Sequence, residues 1–217
     1  DPFELEESYA RHHQIAFEKE LPRVGVSSEF LYQAKKYRAG EYKDLIKSTL
    51  DHTADIKDIL NEHRTSKLAD VWFPISVYCS KCNTDKTNVD AYNATAGTVH
   101  YECQNCENSE DLELATTSRV KLPWRVDWPM RWKYETVDFE PGGKDHSSQG
   151  GSYTTAKELV KKIYDIDPPV YLQYDFVSIR GAGGKMSSSS GNVITLADVL
   201  KIYEPEMVRW IFASNRT

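Results

Sequence analysis

The feature that most constrains this chain is a set of four cysteines in two tight pairs. Two residues separate Cys79 from Cys82 and Cys103 from Cys106, and twenty residues lie between the pairs. In a C-x2-C turn both thiolates can face one ion, and two such turns complete a closed tetrahedral shell. In zinc-binding peptides the ion contributes on the order of ten kcal/mol of folding free energy. The spacing therefore predicts a structural Zn²⁺ ligated by Cys79, Cys82, Cys103 and Cys106.

Disulfides and a redox-active cysteine pair are the alternatives to a metal site. The sequence shows no secretory feature that would favour disulfides, and a redox pair more often stands alone beside a helix start. His100, three residues before Cys103, could replace one ligand but fits a strand residue better. We therefore favour a zinc-ribbon module built around the cysteines.

Composition limits the class of protein. The 217 residues are 40% hydrophobic and 12% aromatic, which is enough to bury a core and argues against disorder. The net charge of −6 gives no general attraction to nucleic acid, so such a partner would need a local basic face. The sequence has no run of eighteen apolar residues and no apolar stretch behind its start. We expect neither a membrane span nor a signal peptide, and a cytoplasmic location.

Hydrophobic periodicity predicts strands that alternate with helices in the second half of the chain. Helices are predicted over 1–20, 41–64, 152–164, 195–203 and 205–213, with a short one ending at Gly40. Strands are predicted over 71–78, 97–102, 111–115 and 137–140, and one or two strands over 170–179. Segment 24–33 fits a strand or a helix start, and 123–132 is an aromatic segment broken by proline. The alternation favours an α/β fold with a parallel sheet component.

Eight of the eleven glycines fall in two windows, 142–151 and 181–191. The second window could be a flexible linker, but Lys185-Met186 in its middle argues against that interpretation. It is not a P-loop, because Met186 follows Gly-Lys where that motif requires Ser or Thr. The window contains an ammonium, several hydroxyls and many backbone N–H groups, and such groups bind phosphate oxygens well.

The first window follows a predicted strand and precedes a predicted helix, where ligands bind in open α/β sheets. Gly142 and Gly143 would let a ribose or an amino acid approach the main chain, and Asp145 could accept two sugar hydroxyls. Taken alone, the window is more typical of a turn than of a binding site.

Together the two windows resemble the signatures of class I aminoacyl-tRNA synthetases. Lys185-Met-Ser-Ser-Ser189 resembles the KMSKS signature, with Ser188 in place of its second lysine. Gly143-Lys-Asp-His146 resembles the G-x-D-H segment that precedes it. The string Trp124-Arg-Val-Asp-Trp-Pro-Met-Arg-Trp132 narrows the resemblance to class I lysyl-tRNA synthetases.

This resemblance implies an incomplete Rossmann-like nucleotide-binding fold, interrupted by the zinc-ribbon module and followed by the start of a helical stem. Residues 1–70 would be the remainder of the first Rossmann half and a helical connection, and 71–118 the zinc-ribbon insertion. Residues 119–194 would form the second half with both signatures, and 195–217 the first stem helices.

The resemblance also implies that ATP with Mg²⁺ activates lysine as lysyl-adenylate, and that lysine is then transferred to tRNA(Lys). The residues implied to stabilise the ATP phosphates are Lys185, Ser187, Ser188 and Ser189. Those implied to bind ATP and its ribose are Gly142, Gly143, Asp145 and Met186. We therefore expect residues 142–146 and 185–189 to converge on a single nucleotide. The candidates for binding lysine are Trp124, Asp127, Trp128, His146 and Tyr174.

The lysine candidates also have a physical basis, because aromatic faces and one carboxylate together bind a desolvated ammonium well. Trp124, Trp128 and Trp132 are four residues apart, which places them on one side of a helix or a strand. Core packing is the alternative role for each of them, and it is favoured most for Trp132. Tyr171 competes with Tyr174 for a place in the pocket.

One motif of class I synthetases is missing from the sequence. They need a HIGH-type motif to bind ATP, and none of the six histidines is followed by the required Gly-His. We therefore expect an internal fragment with negligible adenylation activity alone. The alternatives are another class I synthetase, for glutamate or cysteine, and a non-catalytic zinc-ribbon module that binds tRNA.

Overall fold

The computed structural model describes residues 8–179, 184–186 and 193–214, which form a mixed α/β structure. The chain divides into two compact units. The larger comprises Tyr32–Tyr174, and the smaller joins Asp1–Leu31 to Asp175–Thr217. The division into 1–70, 71–118, 119–194 and 195–217 follows from the family resemblance and not from packing, and it stays a prediction.

The larger unit begins with three helices: α2 (Gln33–Arg38), α3 (Lys43–Asp51) and α4 (Thr53–Glu62). The prediction of one helix over 41–64 is wrong, because His52 has non-helical dihedral angles (φ −104°, ψ 23°). At the break His52 Nδ1 bonds to the Ser48 carbonyl, and Thr53 Oγ1 donates to the Leu50 carbonyl. Such side chains compete with the helical hydrogen-bond ladder. The two helices still bury apolar side chains, at Ile46 and Leu50 of α3 and at Ile56 and Leu60 of α4.

The cysteine pairs lie in a small antiparallel module. Its strands are β1 (Ser76–Val77), β2 (Thr87–Asn93), β3 (Thr98–Cys103), β4 (Ser109–Glu113) and β5 (Val120–Lys121). β2, β3 and β4 form one sheet, and β1 pairs with β5. The sequence predicts β3 and β4 correctly but misses β2, in which Val89 is the one buried residue. The strand predicted over 71–78 is too long, since pairing starts only after Pro74, which has no N–H to donate.

The aromatic segment predicted to be broken by proline is instead a helix, α5 (Trp124–Glu135), with Pro129 inside it. The Pro123 carbonyl accepts from the N–H groups of Val126 and Asp127 at its start. An interior proline costs roughly 3 kcal/mol, yet burial of Trp128, Met130 and Trp132 outweighs that cost.

A β-α-β arrangement follows α5. Strands β6 (Phe139–Gly143) and β7 (Val170–Tyr174) are parallel, and helices α6 (Lys144–Ser147) and α7 (Ser152–Tyr164) lie between them in sequence. This confirms the predicted parallel component and the helix over 152–164. The chain thus has a mixed α/β fold, while the Rossmann-like assignment stays a prediction.

The smaller unit contains helices α1 (Tyr9–Glu20), α8 (Leu196–Val199) and α9 (Pro205–Ser214), a 3₁₀ turn at Leu21–Val24, and strands β8 (Ser178–Ile179) and β9 (Gly184–Lys185). Ser8 caps α1 in an extended conformation, and α1 confirms the predicted helix over Tyr9–Glu20, while residues 1–7 of that prediction lie outside the described residues. Arg209 Nη1 donates to the Val24 carbonyl (2.8 Å) and so joins α9 to the turn. In the described part of the chain, no helix is both long and apolar enough to cross a membrane.

A buried hydrogen bond ties α3 to α7 and gives a test of the core. Thr49 Oγ1 donates to the Leu45 carbonyl (2.7 Å), so the Tyr164 hydroxyl must be the donor in its 2.6 Å bond to Thr49 Oγ1. We expect Tyr164→Phe to lower the free energy of unfolding by about 1–2 kcal/mol in urea titrations.

Tyr134→Phe is the matched control, because the Tyr134 hydroxyl donates to Glu41 at the surface (2.9 Å). Its expected cost is below about 0.5 kcal/mol. Equal costs for the two variants would contradict this description of the core.

Candidate active site and metal centre

The four cysteine sulfurs lie within 4.8 Å of one another. Cys79 Sγ is 3.5 Å from Cys106 Sγ, and Cys82 Sγ is 3.6 Å from Cys103 Sγ. A tetrahedral shell with metal–sulfur bonds of about 2.3 Å has sulfur–sulfur edges of about 3.8 Å. A disulfide needs about 2.05 Å, and all four cysteines are free. The distances suit a tetrahedral metal site.

The two C-x2-C turns share one backbone geometry. The residue after each pair has a left-handed conformation, with φ 54° at Asn83 and φ 58° at Glu107. The N–H of Asn83 donates to the Cys79 carbonyl (3.0 Å), and that of Glu107 donates to the Cys103 carbonyl (2.9 Å). This repeated turn brings both thiols of each pair to the same point.

Backbone N–H groups favour the thiolate form in the first pair. Burial opposes ionisation of Cys79, but hydrogen bonds from the N–H groups of Cys82 and Lys81 and from the neighbouring cysteine thiols lower its pKa. The N–H of Thr84 likewise lowers the pKa of the Cys82 thiol. Such hydrogen bonds stabilise the charge that a metal ligand must carry.

An aromatic group lies where α5 meets α6. The Trp124 and Trp128 rings stack with centroids 4.9 Å apart, and the His146 ring lies 5.5 Å from Trp128 and 6.1 Å from Trp124. Trp124 is 43% exposed, whereas Trp132 is fully buried. The structure thus brings three predicted lysine contacts together, and Trp132 packs in the core.

Glycines let two side chains approach the carboxyl end of β6. A Cβ at Gly142 would collide with the Tyr171 ring, and one at Gly143 would lie 2.6 Å from Asp145 Oδ1. Tyr171 stacks on Tyr153 with ring centroids 3.6 Å apart, and its hydroxyl lies 2.7 Å from Ser147 Oγ. Tyr171 is therefore engaged in packing.

Tyr174 differs from Tyr171 in its environment. It pairs with Gly143 in the β6–β7 register, and it is 52% exposed. Tyr174 is accordingly available for a ligand beside Gly143, although its role stays a prediction.

Asp127 is buried and already has partners. Its Oδ1 accepts a hydrogen bond from the Tyr37 hydroxyl, and its Oδ2 forms an ion pair with Arg131. The Arg131 guanidinium also lies 5.4 Å from the Trp124 ring centroid. Tyr37 and Arg131 are not among the site residues predicted from the sequence, although an Asp and an Arg four residues apart on a helix can indicate an ion pair. The role of Asp127 in lysine binding stays a prediction.

The second glycine window is only partly described. Lys185 lies in β9, which pairs with β8, and the Met186 N–H donates to the Val177 carbonyl (3.1 Å). Ser187, Ser188 and Ser189 lie outside the described residues. The predicted convergence of residues 142–146 and 185–189 on one nucleotide therefore stays a prediction.

Comparison with known proteins identifies relatives of the whole chain. A family model described as tRNA synthetases class I (K) matches residues 1–217. The lysine–tRNA ligase of Borreliella burgdorferi is 55% identical over 209 residues, which cover 96% of this chain and 40% of the relative. Those of Treponema pallidum and Pyrococcus horikoshii are 48% and 40% identical, each covering 100% of this chain and 41% of the relative.

The chain thus spans about 40% of the length of these curated relatives. The family match extends over both glycine windows, the tryptophan string and the cysteine pairs. The chain belongs to the class I lysyl-tRNA synthetase family.

Proposed function

We propose that the polypeptide containing this chain attaches lysine to tRNA(Lys) in the cytoplasm, through a lysyl-adenylate made from ATP with Mg²⁺. One observation carries the proposal. In a chain of this family, Trp124, Trp128 and His146 form one group beside Gly143 at the carboxyl end of β6. That end of a parallel strand is where α/β proteins bind nucleotides.

Adenylate formation joins the lysine carboxylate to the α-phosphorus of ATP and releases pyrophosphate. Such a step depends on positioning and on stabilising the charge that develops on phosphate oxygens. We assign the ribose to Gly142, Gly143 and Asp145, within a Rossmann-like fold. We assign the phosphates to Lys185-Met186 and to Ser187, Ser188 and Ser189.

Lysine recognition is assigned to the aromatic group. An ammonium over an indole face gains about 2 kcal/mol or more when it is desolvated. The half-exposed Tyr174 would supply an open ring face. Trp124 stacks on the buried Trp128 and has the Arg131 guanidinium over its ring, so it would contact the ligand through the part of its side chain that is exposed. His146 lies against both indoles and would face the amino acid.

The cysteine cluster is proposed to bind Zn²⁺ with a structural role. Four thiolates close a tetrahedral shell and leave no position for water or substrate, unlike a catalytic zinc site. The ion would fix the two C-x2-C turns relative to each other and so stabilise the β2–β3–β4 sheet.

Amino acid specificity tests this proposal. The full-length polypeptide should catalyse ATP–pyrophosphate exchange with lysine, in the presence of its tRNA, and not with glutamate or cysteine. Trp124→Ala should raise the KM for lysine about thirtyfold, the equivalent of about 2 kcal/mol, with little effect on the KM for ATP.

Trp210→Ala is the control, because Trp210 is an exposed tryptophan of the smaller unit (62% exposed). Its KM for lysine should change less than about twofold. Exchange with glutamate or cysteine in place of lysine contradicts the proposal. Salt-sensitive tRNA binding without exchange for any amino acid would instead support the non-catalytic module.

A further inference from the structure

Asp127 is a buried carboxylate beside the aromatic group, and both of its oxygens have partners within the protein. It is 4% exposed and lies on α5 between Trp124 and Arg131. Oδ1 accepts a hydrogen bond from the Tyr37 hydroxyl, and Oδ2 forms an ion pair with Arg131. Because the guanidinium already balances the negative charge, a second cation gains less from this carboxylate than from a free one. These surroundings favour an internal role for Asp127 over direct contact with a ligand.

Tyr37 holds Asp127 from outside α5. The Tyr37 hydroxyl accepts a hydrogen bond from the Leu122 N–H (3.3 Å), just after β5, and donates one to Asp127. Burial, together with the negative charge of Asp127, raises the pKa of Tyr37. The hydroxyl therefore stays protonated at neutral pH and remains a donor. It thus links helix α2 to the carboxylate of α5.

The Arg131 guanidinium connects Asp127 to Trp124. The three residues lie at spacings of three and four on α5, so their side chains share one face of the helix. The guanidinium carbon is 5.4 Å from the Trp124 ring centroid. Arg131 Nε is buried and has no hydrogen-bond partner among the described residues. The orientation of the guanidinium therefore depends on the ion pair with Asp127 and on the indole ring.

Trp124 is the exposed end of this series of contacts. It is 43% exposed, so its side chain has room for more than one rotamer. Stacking on Trp128 and contact with Arg131 favour the observed rotamer, which places the Trp124 ring 6.1 Å from that of His146. A binding site needs its contact residues held to within about 0.5 Å of the productive geometry. The series of contacts can supply that restraint.

We propose that Tyr37, Asp127 and Arg131 are positioning residues that hold Trp124 in the orientation that receives lysine. The inference rests on the proposed function and deepens it. It gives Asp127 a role that is exerted through Arg131 and Trp124, in place of direct contact with the substrate ammonium.

Lysine-dependent ATP–pyrophosphate exchange by the full-length polypeptide, in the presence of its tRNA, tests the inference. Asp127→Asn keeps the shape of the side chain and an acceptor for the Tyr37 hydroxyl, but it removes the charge that holds Arg131. It should raise the KM for lysine about tenfold, while kcat and the KM for ATP change less than about twofold. Tyr37→Phe removes a single hydroxyl and should raise the KM for lysine about threefold. If Asp127→Asn fails to fold, Tyr37→Phe decides, and an unchanged KM would overturn the inference.

Double variants separate positioning from direct contact. Because Asp127 is assigned to act through Arg131 and Trp124, Asp127→Asn/Arg131→Gln should raise the KM for lysine no more than the more harmful single change. Asp127→Asn should likewise add less than about twofold to the effect of Trp124→Ala. If Asp127 contacts lysine directly, its effect persists without Trp124 and the KM increases multiply. That result would overturn the inference.

Glu135→Gln is the matched control, because it makes the same carboxylate-to-amide change on α5 and breaks a partly buried ion pair with Lys36 (2.7 Å). Its KM for lysine should stay within about twofold of the wild type. A rise as large as that of Asp127→Asn would mean that loss of any ion pair of α5 suffices, and it would overturn the positioning role.

The ¹⁹F NMR spectrum of the full-length polypeptide labelled with 5-fluorotryptophan gives a readout that does not depend on catalysis. The Trp124 signal, assigned by its loss in Trp124→Phe, should shift or broaden in Asp127→Asn and stay in place in Glu135→Gln. An unchanged Trp124 signal in Asp127→Asn would overturn the inference. Absence of lysine-dependent exchange in the wild type would overturn the proposed function as well, whereas normal exchange with an unchanged lysine KM in Asp127→Asn would overturn this inference alone.

Discussion

Replacing Cys103 with serine should unfold the antiparallel module that contains β2, β3 and β4. Cys103 is a buried residue at the end of the central strand, and its sulfur lies 3.6 Å from that of Cys82. A structural zinc ion contributes on the order of ten kcal/mol of folding free energy, and a missing ligand forfeits much of it. We expect bound zinc to fall from about one ion per chain to nearly none, and the melting temperature to fall by about 10 °C or more.

Lys81→Ser is the matched control for this prediction. Lys81 is exposed and lies between Cys79 and Cys82, the proposed ligands of the first pair, so its side chain can change without loss of a cysteine. This variant should keep its zinc and its melting temperature. A chelator should reproduce the effect of Cys103→Ser on the wild type. Retention of zinc and stability by Cys103→Ser would contradict the assignment of the metal site.

Replacing Lys185 with alanine should slow lysine-dependent exchange by the full-length polypeptide about 10²- to 10³-fold, the typical effect of losing one group that stabilises transition-state charge. The ammonium is assigned to the phosphates, so the loss should lie in kcat while the KM for lysine changes little. In this sequence Ser188 stands where the signature has its second lysine, which leaves Lys185 as the one cation of the segment 185–189.

Lys201→Ala is the control, because Lys201 is an exposed lysine of the smaller unit that pairs with Asp198 (2.8 Å). It should retain kcat within about twofold. Ser188→Lys should raise kcat by restoring the second positive charge. A Lys185→Ala enzyme with normal kcat would exclude Lys185 from the chemistry.

The sequence predicted the parts of this structure that depend on interactions between residues close to one another in the chain. The cysteine spacing alone predicted the cluster of four thiols that could hold a metal ion, because two C-x2-C turns suffice to gather them. The helix over 152–164 was also predicted correctly, since its apolar stripe is regular and Pro168 and Pro169 lie beyond its end.

The wrong predictions involve interactions other than the regular spacing of apolar residues. Pro129 argues against a helix locally, yet buried tryptophans stabilise α5 around it. The break at His52 depends on side chains that bond to carbonyls of the preceding turn. β2 is polar in sequence and becomes a strand because it pairs with β3. None of these outcomes is visible in hydrophobic periodicity.

In the candidate site, too, some contacts follow from residue spacing and others do not. The stacking of Trp124 on Trp128 follows from their spacing of four on a helix. The partners of Asp127 do not follow from spacing alone, because Tyr37 is ninety residues away in sequence. A long-range contact of this kind needs the fold before it can be inferred.

The central claim is that the two glycine windows converge on one nucleotide. Hydrogen–deuterium exchange of the full-length polypeptide, with and without a non-hydrolysable lysyl-adenylate analogue, tests it most directly. Our account predicts that the analogue slows exchange together in peptides covering 142–151 and 181–191, and much less in the cysteine module. Protection of one window while the other exchanges as in the free protein would contradict it.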